Sequence, residues 1–131
     1  MRQLWQTLPL HIERPFHQWR YMTSHRTLIM RSHNRRDPVH GDARFEESID
    51  VVFSGVYAMN TRTHYRELFI ASLGDLTEVD GYPEIPEHLR HLFVHLTVSD
   101  GTNEGFVVCS NVLVDPVGEF GLRYPGRFRP Q

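Results

Sequence analysis

The chain has 131 residues, of which 40% are hydrophobic and 23% charged; this composition is typical of one globular domain and argues against disorder. Its formal net charge of -2 argues against a nucleic-acid binder, which carries a marked basic excess. No stretch approaches the roughly 20 apolar residues of a membrane span, and the first residues lack the apolar core of a signal peptide. Cys109 is the single cysteine, so no internal disulfide is possible, and we expect a cytoplasmic protein without a cofactor.

Two features of the composition bear on chemistry. All fourteen basic residues are arginine, which excludes Schiff-base lysine chemistry and a P-loop lysine. The chain is also rich in histidine, with nine, and protonation of all of them would move the formal charge from -2 to +7, since -2 plus 9 is 7. Because histidine titrates near pH 6.5, solubility or assembly could depend on mild acidity.

The first predicted element is a hairpin between residues 16 and 32 that turns near Ser24. On an extended chain Trp19 and Tyr21 lie on one face, with Arg20 and Met22 on the other. The next segment, 33–44, is the clearest loop, because it contains Asp-Pro and Gly-Asp and has no periodicity. Two histidines and two arginines there could bind an anion, although neighbouring aspartates could neutralise them, and a solvated loop is favoured: His33, Arg35, Arg36 and His40.

The segment 47–73 predicts the central hairpin of an antiparallel sheet. Two runs rich in β-branched and aromatic residues, 49–59 and 65–73, flank a polar break at 60–63. Gly55 interrupts the first run, which indicates a bulge or a close backbone approach. Asp50 lies in the same apolar run, and a buried carboxylate needs a partner. Arg31 on the presumed neighbouring strand is available, so we expect a structural ion pair.

The segment 83–114 predicts one helical turn with Pro86 at its first position, then a second hairpin closed by a turn at Asp100-Gly101, with 106–114 as the returning strand. Residues 86–96 fit a helix as well as a strand. On a helix His88, His91 and His95 would share one side, as in a three-histidine zinc site. On a strand, which Val94, Thr97 and Val98 favour, His91 and His95 would be about 13 Å apart, too far to share one metal ion.

These elements predict an all-β, mainly antiparallel fold. We expect a small sandwich or partly open barrel of six to seven strands, with at most one or two short helical turns. Residues 1–131 form a single domain, and an extended C-terminal arm from about 117 packs on the body or on a neighbouring subunit.

A set of short motifs resembles a group of small uncharacterised bacterial β-rich proteins. The resemblance covers about two-thirds of the chain, implies a complete stand-alone protein, and implies no particular chemistry. The motifs are Trp19-Arg20-Tyr21, Ser24-His25, Leu28, Arg31-Ser32, Ile49-Asp50-Val51, Phe53, Gly55 and Val56.

No catalytic constellation is predicted. The Ser-His pairs at 24–25 and 32–33 are interpreted as turn residues, and Cys109 as a buried, unreactive thiol. The binding candidates are His25, Arg31 and Asp50. We therefore expect a non-catalytic binding or self-assembly module that forms a homo-oligomer and binds neither nucleic acid nor membrane. The alternatives are a small metal-dependent enzyme that uses His88, His91 and His95, and a regulatory or immunity-type protein that binds another macromolecule.

Overall fold

The chain folds into two five-stranded antiparallel sheets in a computed structural model that describes residues 8–72 and 86–115. The predicted all-β class is therefore confirmed. The described residues contain ten strands, more than the six to seven expected, because three of them are only two or three residues long. Over the same residues, no helix has the length and apolar character needed to cross a bilayer.

Sheet 1 is built on a meander of three consecutive strands, with one later strand added at each edge. Its order is β10-β4-β3-β2-β6. The predicted hairpin at 16–32 is confirmed as β2 and β3, which pair antiparallel with a bulge between Gln18 and Arg20. The strands of sheet 1 are β2 (Phe16–Met22), β3 (Thr27–Ser32), β4 (Ile49–Ser54), β6 (His64–Tyr65) and β10 (Asn111–Asp115).

Sheet 2 has the order β1-β7-β8-β9-β5. The hairpin predicted around Asp100 is confirmed as β8 and β9, whose register runs from Val94 opposite Cys109 to Ser99 opposite Glu104. The strands of sheet 2 are β1 (Leu10–Ile12), β5 (Ala58–Asn60), β7 (Leu68–Ser72), β8 (Val94–Ser99) and β9 (Glu104–Cys109).

The core lies between the two sheets. Alternate side chains of each strand face inward, as period-two burial requires. Sheet 1 contributes residues such as Phe16, Met30 and Phe53, and sheet 2 contributes residues such as Ile70 and Leu96, all fully buried in one cluster. Burial of apolar surface at roughly 25 cal/mol per Å² makes this layer the main source of stability.

The predicted central hairpin at 47–73 is wrong. Its first run pairs with β3 and β10 in sheet 1, whereas its second run, β7, pairs with β1 and β8 in sheet 2. The chain changes sheet just after β4, where Gly55 has φ +62. A Cβ there would lie 2.3 Å from Ser110 Oγ. The predicted close approach at Gly55 is thus present, and the positive φ explains why the run breaks there.

Another change of sheet occurs at Ser110, between β9 and β10. The segment 106–114, expected to be one returning strand, is therefore two strands in different sheets. The Ser110 N–H donates to Ser54 O at 2.8 Å, which ties this change of sheet to the one at Gly55. Apolar residues lie on both sides of each change of sheet, which is why the sequence did not reveal them.

The segment before β8 is part helix and part strand. Helix α1 (Glu87–Arg90) follows Pro86 at its N-cap and ends before β8 begins at Val94, so the predicted single helical turn is confirmed. The predicted C-terminal arm from about 117 lies outside the described residues.

Candidate functional site

A row of polar side chains crosses the outer face of sheet 1. Residues directly opposite in an antiparallel pair project to the same side of the sheet. His64 is opposite His17, His17 is opposite Arg31, Arg31 is opposite Asp50, and Asp50 is opposite Asp115. The register thus aligns one polar residue from each of the five strands.

The centre of this row is a buried ion pair. Arg31 donates from Nε to Asp50 Oδ1 at 2.7 Å and from Nη2 to Oδ2 at 2.9 Å. The Asp50 side chain is fully buried, and that of Arg31 is 19% exposed. The guanidinium carbon also lies 4.9 Å from the centre of the Trp19 ring. The structural ion pair expected from the sequence is present, and its geometry fixes the Arg31 side chain between a carboxylate and an indole.

Four histidines gather at one end of the row, and we call them the imidazole cluster: His17, His33, His40 and His64. The ring centre of His17 is 4.6 Å from that of His40, 4.8 Å from that of His64 and 5.8 Å from that of His33. The ring centres of His33 and His40 are 5.0 Å apart. The Trp19 ring packs edge-on against His33 at 4.8 Å. The cluster runs from a buried histidine, His33, to two exposed ones, His40 and His64.

His33 has one satisfied and one unsatisfied ring nitrogen. Its Nδ1 lies 3.3 Å from Asp37 Oδ2. Its Nε2 is buried and has no hydrogen-bond partner. Buried polar atoms in folded proteins nearly always have a partner, so an orphaned nitrogen inside a group of rings needs an explanation.

Asp37 organises the loop that carries His33 and His40. Its Oδ1 accepts from the N–H of Val39 at 2.9 Å and from the N–H of His40 at 2.7 Å, while Oδ2 faces His33. The loop closes tightly at Gly41, where a Cβ would lie 2.3 Å from Asp37 O. Asp37 thus contacts the ring of His33 and also holds the backbone of His40, in the manner of an Asx turn.

The electrostatics of His17 and His33 favour neutral rings. Burial lowers the pKa of His17 below 6.5, and the neighbouring His64, His40 and His33 lower it further. Burial likewise lowers the pKa of His33, against the opposing effect of Asp37. The pKa of Asp37 is lowered first by the two backbone N–H donors, from His40 and Val39. At neutral pH these two histidines therefore present imidazole lone pairs beside a carboxylate.

The structure separates the sequence-predicted site residues. Arg31 and Asp50 meet, but His25 lies in the exposed turn after β2. Thr27, at the near end of β3, is already four residues from Arg31, or roughly 13 Å along the strand. His17, and not His25, is the histidine beside Arg31.

The alternative histidine set is divided between two elements. His88 is on α1, His91 follows it, and His95 is on β8 with Nε2 3.4 Å from Arg90 O. Over residues 8–72 and 86–115, no three histidine, cysteine or carboxylate side chains are already arranged to hold a metal ion. Metal binding by these three histidines stays a prediction.

Sequence reasoning grouped His33 and His40 only as part of a loop and did not place His17 or His64. The usable signal for His17 was the β2–β3 hairpin, because a turn at 23–26 with one bulge sets His17 opposite Arg31. His64 follows only from the pairing of β6 with β2, which is non-local.

Comparison with known proteins adds no family to this picture. No family model, no curated protein and no solved structure matches the chain. The resemblance to small bacterial β-rich proteins stays a prediction, and the function has to be argued from the site.

Proposed function

We propose that this protein is a non-catalytic binding module whose binding surface is the imidazole cluster. The observation that supports the proposal is the buried Nε2 of His33, which has no partner while Asp37 holds the opposite nitrogen. A ring that is positioned on one side and unsatisfied on the other is suited to receive a ligand.

Binding is favoured over catalysis by the groups around the cluster. Among the described residues, the side chains in ring or charge contact with the cluster are other imidazoles, the Trp19 indole, the Asp37 carboxylate and the Arg31 guanidinium. None is a hydroxyl or thiol nucleophile of the kind that a histidine–carboxylate pair activates. Cys109 is buried on the core side of sheet 2, where burial raises the pKa of its thiol to about 12.

The test is an NMR titration that follows the histidine ring signals of the tag-free protein. The probes are zinc chloride, inorganic phosphate and sodium acetate, added separately at neutral pH. We expect at least one probe to shift the ring signals of His17 and His33 while leaving those of His11 unchanged. His11, on β1 of sheet 2, is a fitting reference because its Nε2 is already paired with Glu67. If no probe moves the cluster, or if all histidines respond alike, the proposal is wrong.

Self-association is a separate proposal carried over from the sequence. Sheet edges that are left unpaired favour association between copies, although β1, β5 and β6 are short, which limits pairing along those edges. Light scattering over a wide concentration range tests it, and a strict monomer throughout would contradict it. The metal-dependent enzyme and the regulatory protein stay predictions, and neither is needed to explain the cluster.

A further inference from the structure

We infer that the ligand of the imidazole cluster is a single divalent transition-metal ion, such as zinc or copper(II). This inference rests on the binding function proposed above and names its ligand class. Four features of the site support it: the spacing of the rings, the contact between Asp37 and His33, the charge around the cluster and the depth of the orphaned nitrogen.

The ring spacing matches that of imidazoles around one ion. A ligand nitrogen lies about 2.1 Å from zinc, so the ring centre lies roughly 3.2 Å from the ion and two tetrahedral ligand rings are about 5 Å apart. The distances among His17, His33 and His40 are 4.6, 5.0 and 5.8 Å. His64, at 4.8 Å from His17, is close enough to contribute a fourth nitrogen.

The contact between Asp37 and His33 is the one that metal-ligating histidines usually make. Such a histidine donates its second ring N–H to a carboxylate or carbonyl, which fixes the ring and leaves the other nitrogen for the metal. Asp37 lies 3.3 Å from Nδ1, and Nε2 is the atom without a partner. The same Asp37 anchors the backbone of His40, so two of the rings share one support.

The charge around the cluster favours a cation over an anion. Arg31, the nearest guanidinium on the same row, is neutralised by two hydrogen bonds to Asp50. The Asp37 carboxylate, 3.3 Å from His33 Nδ1, then places a negative charge beside the cluster. Imidazole nitrogen suits zinc, copper and nickel, whereas magnesium and calcium prefer oxygen ligands.

The depth of the orphaned nitrogen favours an ion over a larger ligand. His33 is only 4% exposed, so a phosphate or an organic acid cannot reach Nε2 without opening the loop. We expect an ion to enter from the exposed side, and the rings of His40 and His64 to rotate toward it. These rotations are required, since the rings in their present orientations do not form a metal-binding set in the described part of the chain.

The test is isothermal titration calorimetry of the tag-free protein with zinc chloride at pH 7.5, with magnesium chloride as the comparison ion. We expect one zinc per chain and no heat from magnesium. His33→Phe and His17→Phe keep an aromatic ring but remove the nitrogens. Each should weaken zinc binding by about 100-fold or more, because a nitrogen that contacts the ion is lost. Asp37→Asn should weaken it by roughly 10- to 100-fold, because it disturbs a supporting contact.

Two control variants make the assignment specific. His11→Phe is the same substitution on the outer face of sheet 2 and should bind zinc like the wild type. A His88→Ala/His91→Ala variant removes two histidines of the alternative set and should also bind normally. Loss of zinc binding in that variant, with normal binding in His33→Phe, would overturn the inference.

The outcomes also separate this inference from the proposed function. If zinc does not bind but phosphate or acetate shifts the His17 and His33 ring signals, the metal assignment is wrong and the binding module stands. If zinc binds with the same affinity to wild type and to the His17→Phe/His33→Phe double variant, the metal assignment is also wrong. If no probe affects the cluster, both are wrong.

Discussion

The outer faces of the two sheets are used in different ways. On sheet 2, Phe106 and Val108 are buried beneath Leu89 and Phe93, so an apolar cover lies over that part of the face. On sheet 1, the register aligns polar residues across all five strands, and the central ion pair is buried. An apolar cluster of Ile29, Val52 and Leu113 lies beside this polar row. Buried polar groups add less stability than apolar ones of similar volume. The contrast indicates that the polar row adds less to stability than the covered apolar residues of sheet 2.

One histidine on each face makes the contrast concrete. His11 on sheet 2 stacks on Phe69, with ring centres 3.8 Å apart, and its Nε2 is paired with Glu67. His33 on sheet 1 is buried, and its Nε2 has no partner. The Nε2 of the first histidine has a carboxylate partner, whereas that of the second has none, and the proposed ligand would supply one.

The largest expected effect comes from breaking the ion pair of sheet 1. Arg31→Leu leaves the Asp50 carboxylate buried and uncompensated, and should lower the free energy of unfolding by about 3–5 kcal/mol in urea denaturation. The double variant Arg31→Leu/Asp50→Leu removes both charges and should recover most of that loss. A single-variant cost below about 1 kcal/mol would show that the row is not electrostatically coupled.

The matched change on sheet 2 should affect stability alone. Val108→Ala removes two buried methyl groups beneath the apolar cover and should cost about 2 kcal/mol of unfolding free energy, measured in the same way. Zinc affinity should not change, because the residue lies on the other sheet. A tenfold loss of zinc affinity would contradict the division of roles between the two faces.

His33→Phe should separate stability from binding on sheet 1. The substitution removes an unsatisfied buried nitrogen and keeps a ring, so we expect thermal and urea unfolding to change by no more than about 1 kcal/mol. Zinc binding should be lost in the same variant. A destabilisation above about 3 kcal/mol would mean that the imidazole holds the fold instead of a ligand.

The stability that Asp100 contributes at the turn of the β8–β9 hairpin should fall in acid. Backbone N–H groups of Asn103, Arg66 and Thr102 donate to Asp100 and lower its pKa from 3.8 to about 2. Because the folded-state pKa is the lower one, this contribution to stability is complete above about pH 4 and is lost as the pH falls through 2. Unfolding measured from pH 5 to 2 should show a smaller decline in Asp100→Asn than in wild type. Parallel curves would contradict the assignment.

The smallest effect concerns Cys109, in the core that both sheets share. Burial raises its thiol pKa to about 12, so the native protein contains almost no thiolate at neutral pH. A disulfide reagent should label the thiol only after unfolding in urea. Rapid labelling of the native protein would place the thiol outside the core.

Local patterns predicted the β2–β3 and β8–β9 hairpins, the helical turn and the ion pair, because each depends on nearby residues or on one simple rule. Asp50 in an apolar run needed a cation, and Arg31 was the available one. The changes of sheet at Gly55 and Ser110 were missed, since alternation shows which side of a strand is buried but not which sheet the strand joins. The imidazole cluster was missed for a similar reason: its members come from β2, β6 and a loop, and only the long-range register brings them together.

The changes of sheet at Gly55 and Ser110 also have an evolutionary consequence. The lack of a side chain at Gly55 makes room for Ser110 Oγ, and a hydrogen bond joins Ser110 to Ser54. A larger residue at either position would push the two sheets apart at the point where the chain passes between them. Distant homologues that keep this topology should therefore retain a glycine matched with a small residue at these two positions, and that covarying pair offers a diagnostic signature where overall similarity has faded.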